Sequence, residues 1–93
     1  MAKSETELIK EAEHLLELTY KEDFFEGAMV TVASKENMHF FEEFVSDINA
    51  YTVHMNVNSV AYQRIIENDL IYNGNRINTN AIRNIIDVLR ELK

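Results

Sequence analysis

The sequence predicts an α+β fold: one small acidic domain over residues 1–93, with elements ordered α-β-α-β-α-β-β-α and helices packed on a three- or four-stranded sheet. Three patterns carry that expectation. Apolar residues recur at three- and four-residue spacing near both ends of the chain, which is the signature of amphipathic helices. Two internal stretches read as strands, Ala28–Ala33 by β-branched content and Tyr51–Val57 by alternation. An Asn73-Gly74 pair between short apolar runs marks a β-hairpin, because both residues tolerate the positive φ of a type I′ turn.

The first helix places Leu8, Ala12, Leu15, Leu16, Thr19 and Tyr20 on one face, with Ser4 or Thr6 to cap it. Leu18 falls on the polar face, where it would suit a contact with another subunit. An acidic connection follows (Glu22, Asp23, Glu26), ending at Gly27, in which Phe24 and Phe25 are expected to anchor the chain to the core. After the buried strand 28–33, Ser34 is placed to cap a second helix over about 35–49, with Phe41, Phe44, Val45 and Ile48 inward. In the second strand, Tyr51, Val53, Met55 and Val57 would face the core and Thr52, His54, Asn56 and Asn58 the outside. Asn58 would cap a third helix to about Asn68, with Val57 and Tyr62 forming a hydrophobic staple. After the hairpin, Asn78 or Thr79 caps a last helix carrying Ile82, Ile85, Ile86, Leu89 and Leu92 on one face.

Charge is placed unevenly along this framework. Residues 1–47 hold twelve of the sixteen acids against four lysines, whereas residues 48–93 are close to balance, so the net charge of −7 belongs to the first half. Such a field steers encounters with basic partners and repels free nucleic acid. There is no cysteine, which removes disulfides and thiolate chemistry. No apolar run reaches the ~18 residues of a membrane span, and the acidic N-terminus lacks a signal-peptide core. The expectation is a soluble, cytoplasmic protein that does not engage membranes.

Catalytic patterns are missing from the sequence. The two glycines belong to no phosphate-cradling loop, and the serines sit mostly at caps or helix starts. No enzymatic activity and no cofactor are expected. His39 and Glu43, at i and i+4, form at most a fragment of a metal site, which needs three or four ligands, so no metal is assigned.

The candidate partner-binding residues are Glu36, His39, Phe40, Glu43 and Asp47. On a helix, Glu36, Glu43 and Asp47 share a narrow strip with Glu42 beside it, and no lysine on the same face offsets them. A spaced row of carboxylates resembles a nucleic-acid backbone to a protein whose groove is lined with Lys and Arg. Phe40 borders the strip with His39 on its other side, the composition of an aromatic anchor ringed by charge. The plainer readings are a solvated helix face and a Phe40 that merely completes the core.

These features point to a non-enzymatic inhibitor or adaptor that engages a basic, nucleic-acid-handling protein. In size, acidity and build the chain resembles the small phage-encoded inhibitors of host defence, nucleic-acid mimics among them; that likeness is one of type and rests on no motif. One alternative is a small DNA-binding regulator using helix 58–68 (Asn58, Ser59, Gln63, Arg64) and Arg76 on the hairpin. Its basic footprint is missing, so direct nucleic-acid binding is not expected. A homodimer or other homo-oligomer, joined through Leu18 or strand 51–57, is the remaining alternative.

Overall fold

The computed structural model describes residues 2–93, apart from the side chain of Phe25. It contains α1 (Glu5–Glu17), β1 (Thr19–Phe25), β2 (Ala28–Ala33), a 3-10 turn (Lys35–Asn37), α2 (Met38–Thr52), α3 (Val60–Ile66), β3 (Ile71–Tyr72), β4 (Arg76–Ile77) and α4 (Thr79–Leu92). The fold is α+β, as the sequence predicts. Its four strands form one antiparallel sheet in the order β1-β2-β4-β3.

α1 begins with a capping box: the Ser4 hydroxyl accepts from the Glu7 backbone N–H while the Glu7 carboxylate accepts from the Ser4 N–H. It stops one turn earlier than its apolar spacing suggests. The Thr19 hydroxyl donates to the Leu16 carbonyl at 2.8 Å, and Thr19 and Tyr20 peel away into β1. Leu18, which the helical spacing puts on the polar face, is half-buried and packs on the core.

The acidic stretch expected as a connection is a strand. Thr19 to Asp23 pair in register with Ala33 to Met29, and a bulge follows at Phe24. The turn that makes this possible is Glu26-Gly27, both with positive φ (51° and 80°), as a two-residue hairpin loop requires. Phe24 does not anchor to the core: it is 58% exposed, while the Phe25 side chain lies outside the described residues. β2 is buried only at its end, through Val32 and Ala33.

α2 starts and ends three residues later than expected. Lys35–Asn37 form a 3-10 turn, and Ser34 makes no side-chain capping bond. At the other end, Phe41, Phe44, Ile48 and Thr52 are all buried and continue one helical stripe through the segment that alternation assigns to a strand. Residues 53–59 are turns. Val53 (71% exposed) and Val57 (56%) point to solvent, so segment 51–57 is not a strand. α3 is capped by Ser59, whose hydroxyl accepts from the Tyr62 N–H, one residue later than the Asn58 cap the sequence suggests.

The hairpin at Asn73-Gly74 is present, with positive φ at both residues, but its loop has three residues because Tyr72 pairs with Arg76. The third, Asn75, ties the hairpin to β2: its amide donates to the Ala33 carbonyl and its own carbonyl accepts from the Ala33 N–H. Asn78 caps α4 through the Ala81 N–H. Leu8, Leu15, Phe41, Phe44, Ile82, Ile85 and Leu89 form the centre of the core, with Ala33 and Ile77 contributing from the sheet.

Candidate protein-binding face

α1 and α2 lie antiparallel, and that packing decides which acidic residues meet. Three cross-helix contacts fix the alignment. The Tyr51 hydroxyl donates to Glu5 Oε2 at 2.7 Å, Lys3 Nζ bridges Glu11 Oε1 (3.2 Å) and Asp47 Oδ2 (2.8 Å), and the His14 ring meets Phe40 edge-on with centroids 5.5 Å apart. Acids from both helices therefore meet along this seam: Glu5 and Glu11 from α1 and Asp47 from α2, with Glu43 one turn before Asp47.

The electrostatics along this seam are graded. Hydrogen bonds to Asp47 and Glu11 raise the Lys3 ammonium above its ordinary value. Lys3 in turn holds the Asp47 carboxyl below the usual carboxylate range. Burial raises the Glu11 carboxyl, and the neighbouring Asp47 carboxylate raises it further. Burial and the Glu5 carboxylate push the Tyr51 phenol up to about 12.

Phe40 is half-buried between two histidines. His39 lies against it with ring centroids 4.0 Å apart, and His39 Nδ1 is 2.9 Å from the Glu36 carbonyl. Among the five candidate residues, Phe40 and His39 are thus in contact, Glu36 joins them through its backbone, and Glu43 is exposed one turn from Asp47. Two expectations need correction. Glu36 belongs to the 3-10 turn, so the straight strip of Glu36, Glu43 and Asp47 is broken at its first member. The strip also has a lysine after all, because Lys3 arrives from the segment before α1. Glu11, His14, Lys3 and Tyr51 were not legible as site residues, since their relation to α2 depends on the helix pairing. The one available signal was Glu11 flanking the Leu8–Ala12–Leu15 stripe.

Among the described residues, no group of three or more His, Cys, Asp or Glu side chains is placed to hold a metal ion, and no helix is long and apolar enough to cross a membrane. Four of the five side chains that would contact bases, all but Asn58, have partners within the chain. Ser59 caps α3, Gln63 donates to the Val57 carbonyl, Arg64 pairs with Glu91, and Arg76 lies over the Phe24 ring. An open cleft of about 360 Å³ separates α2 from α3 and β3; Ile48, Ile65, Leu70 and Ile85 form its floor and Asn49 and Asp69 stand on its rim. No family model, curated protein or solved structure matches the chain.

Proposed function

We propose that this chain is a non-enzymatic inhibitor or adaptor that docks the α1/α2 face onto a basic surface of a partner protein. One observation carries the reading: antiparallel packing brings acids from two helices onto one face and places Phe40, flanked by His14 and His39, within it. Carboxylates around an aromatic give long-range steering and a desolvated anchor at the same place. The basic surface of a nucleic-acid-handling protein fits that arrangement, with the acidic face standing where a phosphate backbone would lie.

The test is affinity capture from nuclease-treated lysate at increasing salt, comparing wild type with a Glu36→Gln, Glu43→Gln variant. Both glutamates are exposed and make no ion pair among the described residues, so the fold is retained. A basic protein captured by the wild type should be lost at lower salt by the variant, and Phe40→Ala should weaken capture at every salt concentration. Capture that ignores both salt and these substitutions rejects the acidic face.

A further inference from the structure

β1 is the longest strand of the sheet and lies at its edge, with β2 on one side only. Its other side carries a row of backbone N–H and C=O groups that no strand among the described residues meets. Natural proteins blunt such edges by keeping them short, as the two-residue β3 is on the opposite side. β1 has seven residues and is flanked by exposed apolar groups: Tyr20 is 47% exposed and Phe24 58%.

The two faces of β1 are distinct. Lys21 pairs with Thr31 and donates to its hydroxyl at 2.7 Å, and alternation places Asp23 on the same side. Tyr20 pairs with Val32, which pairs with Arg76, so Tyr20 and Glu22 stand on the sheet face that carries Val32 and Arg76. Phe24 is there too, since the Arg76 guanidinium lies 3.7 Å from its ring centroid.

We propose that two copies of this chain join by pairing β1 with β1, antiparallel about a two-fold axis at Glu22. In that register Tyr20 lies opposite the partner's Phe24 on the face that carries Arg76, and Lys21 lies opposite the partner's Asp23 on the other. Each pairing occurs twice. Side chains that meet across a continuous sheet must share a face, so the register moves only in steps that preserve this. The neighbouring register on one side sets Lys21 against the partner's Lys21 and Tyr20 against the partner's Glu22. The one on the other side sets Asp23 against the partner's Asp23 and Glu22 against the partner's Phe24. Only the central register makes two opposite-charge pairs and two aromatic pairs, each a stabilising cross-strand combination. The charges that would otherwise protect this edge thus select one pairing. The bulge at Phe24 bends the strand and ends the ladder there.

The arrangement has one unfavourable contact, Glu22 facing the partner's Glu22, and this gives the test its sharpest arm. Sedimentation equilibrium of the full chain should show the mass rising from 10.9 kDa toward twice that value with concentration. Lys21→Asp and Asp23→Lys should each raise the dissociation constant by roughly tenfold, because two attractive pairs become repulsive. The double variant, with the charges exchanged, should recover wild-type association. Glu22→Gln should tighten it. Lys21→Asp also removes the bond to Thr31, so circular dichroism accompanies each variant; Asp23→Lys and Glu22→Gln break no described intrachain bond and carry the test if Lys21→Asp disturbs the hairpin. A wild type that remains at 10.9 kDa up to high micromolar concentration overturns the proposal, even if the edge binds a strand of another protein. So does a dimer indifferent to Asp23→Lys and Glu22→Gln. The Glu36→Gln, Glu43→Gln variant should dimerise normally, so this inference and the acidic-face reading fail separately.

Discussion

Replacing Glu11 by glutamine should stabilise the protein at neutral pH, although it deletes one member of an ion pair. Glu11 is half-buried between α1 and α2, 3.2 Å from Lys3 and beside the Asp47 carboxylate. Burial and Asp47 together outweigh Lys3, so its carboxyl is raised from the ordinary 4.5. A carboxyl with a raised folded-state pKa favours folding while protonated, below its unfolded value. That contribution is lost as pH rises through the folded value. At pH 7 the charged Glu11 is therefore a net cost. Glutamine keeps the shape, removes the charge and can donate to Asp47; a hydrogen bond to a charged acceptor contributes ~1.5–3 kcal/mol. Against this stand the lost pair with a half-exposed Lys3, ~0.2–1 kcal/mol, and screening at the surface. The expected net gain is about 0.5–1 kcal/mol, a rise of roughly 2–8 °C in Tm for a domain of this size. Asp47 provides the opposite control. Its pKa is lowered by Lys3, so its contribution exists above the unfolded value of 3.8 and is lost on acidification, and Asp47→Asn should destabilise at pH 7. Urea unfolding at pH 7 and at about pH 3.5, where carboxyls of ordinary pKa are mostly protonated, reads both effects. The reasoning fails if Glu11→Gln destabilises at pH 7, or if its gain is unchanged at the acidic pH.

Two further outcomes follow from the same geometry. In an ultraviolet absorbance titration one of the four tyrosines should ionise late, near 12, and Tyr51→Phe should remove that step while costing ~0.5–1.5 kcal/mol at neutral pH. Since the folded-state value is raised, this contribution persists to about pH 10 and is lost above it. Val53→Lys and Val57→Lys should each change stability by less than about 0.5 kcal/mol, because both side chains are largely exposed in the turns after α2. A loss of ~2 kcal/mol or more, read by urea unfolding, would mean that these valines are core residues of a strand.

The contrast between these valines and their neighbours explains what was legible in the sequence. α1, α4 and the Asn73-Gly74 hairpin were readable because local chemistry and the apolar pattern agree: Ser4 and Asn78 cap helices whose inward residues are buried. Residues 51–57 satisfy two periods at once. Tyr51, Val53, Met55 and Val57 alternate as a strand does, while Phe41, Phe44, Ile48 and Thr52 keep the helical spacing from upstream. The helix prevails because extending a formed helix fixes one residue per added hydrogen bond, whereas a new strand must first find a partner. β1 was hidden for the reverse reason: its apolar residues are few and its centre, Lys21-Glu22-Asp23, is charged, so nothing local marks it as sheet.

What creates β1 is its hairpin partner. β2 has β-branched residues on both faces, and Glu26-Gly27 supplies the positive φ values that turn the chain back on it. Glu26 is the non-glycine residue in that turn, an uncommon position for a glutamate, so the turn could not be read from residue type as Asn73-Gly74 was. The same distinction separates the parts of the acidic face. Glu43 and Asp47 were legible because helical spacing alone relates them. Lys3, Glu11 and His14 were not, because their positions against Asp47 and Phe40 arise only when α1 packs antiparallel on α2. Spacing within one helix is written in the sequence; the meeting of two helices is set by the core, whose centre at Leu8, Leu15, Phe41 and Phe44 has no charge in it.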